Sequence, residues 1–118
     1  MPTFSGSCHC GAITFAIDAD EADRDLYRCN CSLCIKKAII MKPVRREDFQ
    51  LTGGEAALSS YKWNKQIAEH FFCSRCGVYT HHKRRSDPTQ ISVNFGCLDN
   101  AIIPPEHEIG LVNGAELD

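Results

Sequence analysis

The chain has 118 residues, 43% apolar and 24% charged, and its 13 Lys and Arg against 15 Asp and Glu give a formal charge of −2. That length supports one small domain spanning 1–118 and not two independent cores. The composition argues against disorder, and the charge gives no general reason to expect a nucleic-acid or other polyanionic partner.

No stretch approaches the roughly 20 apolar residues needed to cross a bilayer, so no membrane association is expected. The start, Met1-Pro2-Thr3-Phe4-Ser5-Gly6, has neither the basic nor the apolar region of a secretory leader. A cytoplasmic or other reducing setting is the expectation. After Cys8-His9-Cys10-Gly11, the alternation of Ile13, Phe15 and Ile17 predicts a strand with one buried face. An acidic turn from Asp18 to Asp25 follows, then a short strand through Leu26-Tyr27-Arg28-Cys29. Ser32 to Lys37 suits one helical turn, and Ala38-Ile39-Ile40-Met41 is strand-like.

Pro43 and Arg45-Arg46-Glu47-Asp48 are expected to break the pattern before Phe49-Gln50-Leu51, and Gly53-Gly54 to turn. Leu58 to Trp63, a tip at Asn64-Lys65 and a return from Ile67 to Cys73 predict a hairpin. Two further strands, Gly77 to His82 and Gln90 to Phe95, flank a basic loop containing Pro88. The tail from Pro104 is turn-rich, with Glu108 to Val112 read as a last edge strand. No segment holds a helical period for three turns, so the predicted class is mostly β.

Eight cysteines in a chain this short would suggest disulfides in a secreted mini-protein. The missing leader and the tight local clusters point to metal instead. Cys73-x-x-Cys76-Gly77 has the form of a zinc-knuckle turn, in which two sulfurs reach one ion and Gly takes the left-handed position. Cys8-x-Cys10, at a strand end, supplies another half-tetrahedron. Together Cys8, Cys10, Cys73 and Cys76 would make a closed, structural site; the competing arrangement pairs Cys73 and Cys76 with two sulfurs of the middle cluster.

Cys29-x-Cys31-x-x-Cys34 offers three ligands within six residues and no obvious fourth protein donor. Three protein ligands and an open position is how catalytic zinc is built. Three thiolates leave the ion a weak Lewis acid, better suited to keeping an added thiolate nucleophilic than to making hydroxide. The chemistry expected of such a site is carbon–sulfur bond making or breaking on a small thiol. Closure by Cys97 or a histidine would instead make it a second inert staple. Cys97, in Phe95-Gly96-Cys97-Leu98, reads as a core cysteine. His9 and His70 read as hydrogen-bond partners of ligands, His81 and His82 as facing opposite ways on a strand, and His107 as solvated.

At Gly6-Ser7-Cys8-His9-Cys10-Gly11-Ala12, Cys29-Asn30-Cys31-Ser32-Leu33-Cys34 and His70 to Tyr79, the chain resembles the glutathione-dependent formaldehyde-activating (Gfa) enzymes and their centromere-protein-V relatives. Arg84-Arg85-Ser86-Asp87-Pro88 and Val93 to Asp99 look most like the second branch. The resemblance spans roughly residues 5 to 115. It implies a small fold of stacked antiparallel sheets and two Zn²⁺ per chain. One zinc would be structural, on Cys8, Cys10, Cys73 and Cys76; the other would lie on Cys29, Cys31 and Cys34. It further implies addition of formaldehyde to the glutathione thiol, a carbon–sulfur lyase-class reaction giving S-hydroxymethylglutathione.

On the enzyme reading, Cys29, Cys31 and Cys34 hold the site and His70 moves the hydroxyl proton of the adduct. Arg84, Arg85, Lys36 or Lys37 would then meet the carboxylates of glutathione. The alternative is a non-catalytic, zinc-stabilised module that binds a protein or nucleic acid through Lys83-Arg84-Arg85. Against that stand the net charge and the shortness of the basic run.

Overall fold

The computed structural model describes residues 1–62, 68–85 and 87–117. Its strands are β1 (Thr3–Ser7), β2 (Thr14–Asp18), β3 (Tyr27–Cys29), β4 (Met41–Arg45), β5 (Phe49–Gly53), β6 (Leu58–Tyr61), β7 (Glu69–Cys73), β8 (Tyr79–Lys83), β9 (Gln90–Asn94) and β10 (Gly110–Val112). One helix, α1 (Ser32–Lys37), lies between β3 and β4, and short 3-10 turns join several strands. The chain is mostly β, as its pattern predicts. No helix is long and apolar enough to cross a membrane among the described residues.

The strands form two sheets, a small one in the order β1-β2-β5 and a large one in the order β10-β3-β4-β9-β8-β7-β6. All pairings are antiparallel except β10 on β3, which is parallel. Phe15 and Ile17 of β2 pack against Val44 of β4 and Ile91 and Val93 of β9, with Phe95 and Leu98 closing the cluster. The period-two alternation read from the sequence is therefore the face that holds the core. Burying side chains of this kind contributes roughly 1.5–3 kcal/mol each.

Pro43 does not end a strand: β4 runs through it, and Pro43 lies opposite Ser92 of β9. The N–H of Phe95 donates to Ile40 O and that of Arg46 to Thr89 O, both across even-numbered positions of this segment. Odd positions such as Pro43 therefore turn their N–H away from β9, toward the side where β3 pairs only at Met41. A proline there forfeits no ladder bond.

The Ala38–Met41 run also differs from expectation. Ala38 caps α1 in the left-handed region (φ 54°), and extended pairing starts at Met41. β1 carries no strong sequence signal, since Phe4 is its only large apolar residue. The predicted hairpin is present as β6 on β7; its proposed tip at Asn64-Lys65 lies outside the described residues.

The large sheet has two different faces. His81 pairs with Val93 and Phe71, while His82 pairs with Ser92 and His70. His81 is held between the rings of Phe49 and Phe71, with centroids 4.5 and 4.6 Å away, on the side of the small sheet. His82 and His70 point the other way, toward α1 and the tail, as alternation requires.

Candidate metal centres and the cavity beside one of them

The eight cysteines are all free thiols, and seven of them fall into two groups. In the first, Cys8, Cys10, Cys73 and Cys76 place their sulfurs within 4.8 Å of one another. Cys8 to Cys10 and Cys10 to Cys73 are each 3.7 Å between sulfurs. A disulfide needs about 2.05 Å, whereas four sulfurs held tetrahedrally by bonds of about 2.3 Å stand about 3.8 Å apart. The spacing is that of a metal cage. It joins the β1–β2 turn of the small sheet to the β7–β8 turn of the large one.

Cys8 and Cys10 lie in a turn beyond β1, so a turn rather than strand alternation brings their sulfurs together. The N–H of Ile13 donates to Cys8 Sγ and that of Arg75 to Cys73 Sγ, both at 3.3 Å. Gly77 takes φ 77°, which closes the knuckle and lets its N–H reach Cys73 O at 2.8 Å. The N–H groups of Val78 and Cys10 bring the Cys76 thiol down to about 6, so it ionises readily for a cation.

The second group is Cys29, Cys31 and Cys34, again within 4.8 Å, with no fourth Cys, His, Asp or Glu joining it among the described residues. Cys29 ends β3, Cys31 caps α1 and Cys34 lies in its first turn. Cys31 Sγ accepts the N–H of Cys34 at 3.3 Å. The contact that starts the helix thus also favours the thiolate. Burial raises the Cys31 thiol, but the Cys34 N–H and the neighbouring sulfurs outweigh it and leave it lowered. Cys34 is pushed up by burial and by the sulfurs of Cys31 and Cys29. Three thiols so close cannot all ionise alone; a cation is the counter-charge that allows it.

These sulfurs border a cavity of about 70 Å³ whose opposite wall includes His70, His82, Tyr27, Arg84 and Arg85. Lys37, in the last turn of α1, donates from Nζ to His70 Nδ1 at 2.8 Å and stands 3.7 Å above the Tyr79 ring. The Tyr79 hydroxyl lies 3.3 Å from the same His70 nitrogen and is hydrogen-bonded to His82 Nδ1. The two imidazoles stack with centroids 4.9 Å apart. Burial, then the charges of Lys37 and Arg85, lowers His70 to about 4. Burial drives His82 well down as well. Both rings are neutral near pH 7. Burial lowers Lys37 to about 8 against the opposing pull of Cys34, Cys31 and Cys29.

Tyr79 reaches this wall because of a bulge. Phe71 pairs with His81 and Phe72 with Tyr79, leaving Thr80 as an extra residue. Without it, Tyr79 and His82, three apart, would face opposite sides of β8. The extra residue puts both on the cavity side.

The tail closes the other side. Asn30 N–H donates to Val112 O, Asn30 Nδ2 to Asn113 Oδ1 and Ala115 N–H to Asn30 Oδ1, laying Gly114 against the cysteines. A Cβ on Gly114 would stand 2.5 Å from Cys29 Sγ and 3.0 Å from Cys31 Cβ. Gly114→Ala is therefore expected to weaken metal binding at this group by about tenfold, the scale of a perturbed ligand surround, and to spare the first group. Competition with a coloured chelator reads both affinities, and equal retention at both groups would contradict it.

Of the residues singled out in the sequence, the structure gathers Cys29, Cys31, Cys34, His70, Arg84 and Arg85 around one cavity. Lys37 is half-buried behind the lining, bonded to His70, while Lys36 is exposed. Cys97 belongs to neither group: it is buried in the main core, with its thiol 3.5 Å from Tyr79 O. His9 and His107 are exposed. The basic run is partly engaged, Lys83 with Glu69 at 3.5 Å and Arg84 with Gln90 at 2.6 Å and over the Tyr27 ring. Tyr79, His82 as a wall residue, and Gly114 carried no signal that sequence spacing could supply.

Residues 3–111 match the family described as "Glutathione-dependent formaldehyde-activating enzyme". The fold is similar to a crystal structure of a Rhodobacter sphaeroides protein, with a TM-score of 0.82 and 34% identity, covering 92% of this chain and 99% of that one.

Proposed function

The chain belongs to the glutathione-dependent formaldehyde-activating enzyme family, and from that premise we propose that it is a zinc-dependent carbon–sulfur lyase-type enzyme acting on a small thiol adduct. The reaction is formation of S-hydroxymethylglutathione from glutathione and formaldehyde, carried out by one domain spanning 1–118. The observation that carries the reading is a three-cysteine group opening on a cavity that also holds two imidazoles and two arginines.

Cys8, Cys10, Cys73 and Cys76 would hold a structural zinc, and Cys29, Cys31 and Cys34 a second. Bound there, zinc would keep a substrate sulfur deprotonated and nucleophilic near neutral pH. The remaining work falls to the chain's own residues. Lys37, bonded to His70 behind the lining, places an ammonium where it interacts with the three sulfurs and offsets their residual negative charge. A cavity of about 70 Å³ takes a thiol and a one-carbon unit but not a tripeptide. The rest of glutathione therefore extends beyond it, and Arg84 and Arg85, on its lining, are the groups left to meet carboxylate. His70 is the group placed to serve the adduct's oxygen.

The test is to replace the metal by cobalt and titrate the protein with glutathione, with another small thiol as control, following the thiolate-to-cobalt absorption. A saturable change favouring glutathione is expected. An unchanged spectrum with both groups loaded would overturn the reading.

A further inference from the structure

We infer that His70 and His82 form a fixed pair of N–H donors for the substrate's carbonyl oxygen, and that Lys37 and Tyr79 are the positioning residues that set both rings in that state. The inference rests on the proposed reaction for the identity of the oxygen, but its geometry does not depend on it.

An imidazole nitrogen without hydrogen has one lone pair, and a neutral ring carries its hydrogen on one nitrogen only. An ammonium has donors and no acceptor, so Lys37 at 2.8 Å makes His70 Nδ1 an acceptor. The hydrogen of His70 is then on Nε2. The Lys37 ammonium over the Tyr79 ring holds the pair in register. With the His70 lone pair taken, the Tyr79 hydroxyl at 3.3 Å has no acceptor there and donates to His82 Nδ1. His82 too carries its hydrogen on Nε2.

Both Nδ1 atoms face into the protein, and both rings line the cavity. No described group bonds either Nε2, and neither nitrogen is a buried polar atom without a partner. The two Nε2–H groups are thus left to the cavity. They come from adjacent strands, paired directly opposite each other, with rings 4.9 Å apart. That spacing suits two donors converging on one oxygen.

Sulfur attack on formaldehyde forms the C–S bond and sends the π pair of the carbonyl to oxygen, which becomes the hydroxyl by taking up from water the equivalent of the proton that the thiol released on becoming thiolate. Charge accumulates on that oxygen before the proton arrives. Preorganised neutral donors stabilise it without first having to lose a proton or reorient. His70 therefore acts as donor to the oxygen and not as a free base, because its other nitrogen is already committed to Lys37.

The test is a long-range ¹⁵N–¹H correlation on the metal-loaded protein labelled at histidine, near pH 7. His70 and His82 should each show a protonated Nε2 and an unprotonated, hydrogen-bonded Nδ1. Lys37→Met should convert His70, and Tyr79→Phe His82, to mixed tautomers, while Lys37→Arg keeps the pattern. Both disrupting variants should lower kcat about 10- to 100-fold, Tyr79→Phe with thiol affinity unchanged, less than outright loss of one oxyanion donor. A protonated Nδ1 on either ring of the unmutated protein would overturn the inference, whatever the variants do. If the tautomers are as expected but no thiol binds, the donor pair stands and the proposed reaction fails.

Discussion

Serine in place of Cys73 is expected to abolish cooperative folding, whereas serine in place of Cys34 should leave the fold and remove turnover. Cys73 is fully buried at the end of β7, and its group, which could hold a metal ion, spans the two sheets. A closed zinc site contributes about 10–16 kcal/mol of apparent binding free energy, against a net stability of about 5–15 kcal/mol for a whole domain. Losing one of four ligands thus removes an amount comparable to everything that holds the fold. Cys34 lies on a six-residue helix bordering a cavity and belongs to none of the hydrophobic core clusters. Its variant should keep a cooperative melt, bind one metal instead of two and lose at least about a thousandfold in rate, the scale of a deleted catalytic group. Thermal melts with metal counting and a formaldehyde–glutathione assay read all three. If Cys34→Ser unfolds as completely as Cys73→Ser, the division into a structural and a reactive group is wrong.

The sorting of seven cysteines into two groups was legible in the sequence because metal-ligand spacing is local. Two thiols three apart can serve one ion wherever the chain later goes, so Cys73-x-x-Cys76 and Cys29-x-Cys31-x-x-Cys34 announce themselves. The core face of β2 was equally readable, since burial of Ile13, Phe15 and Ile17 alternates with period two. β1 was not, because only Phe4 and Gly6 of it turn inward and what defines it is its pairing with β2 across the cysteine turn. Pro43 misled for a related reason: whether a missing N–H matters depends on which strand lies on that side, which only the sheet order decides.

The cavity wall shows the same limit more sharply. His70 and His82 are twelve residues apart and meet because β7 and β8 pair in one register. Tyr79 joins them only through the extra residue at Thr80, and a bulge leaves no local mark in the sequence. Lys37 could be read as a surface charge near the cysteines. Its packing against His70 and Tyr79 turns it from a partner for a substrate carboxylate into a support behind the cavity lining. Recognition of a family supplies candidate metal ligands directly but not the meeting of these residues, which follows from pairing and packing in this chain.

The histidines also make the fold acid-sensitive by an amount that can be separated from metal loss. Burial first, then Lys83, lowers His81 to about 4, and His70 is lowered to about 4 as well, against about 6.5 for an exposed imidazole. Between these values the unfolded chain binds more protons than the native one, so stability falls as pH falls. The contribution is fully present above pH 6.5 and is lost on the way to about 4. Going from pH 7.5 to 5 costs about 2 kcal/mol per imidazole by that linkage. Cysteine ligands also take up protons in acid, which would mask the effect at the cavity. His81 avoids this, for it sits between Phe49 and Phe71 on the core face and belongs to neither cysteine group. His81→Phe keeps a ring between those two neighbours and removes the titration. Denaturant unfolding at pH 7.5 and pH 5 should show the acid penalty reduced by about 2 kcal/mol in the variant. An unchanged penalty would mean that His81 is protonated in the native state at pH 5, and the core face would have to be open enough to hydrate it.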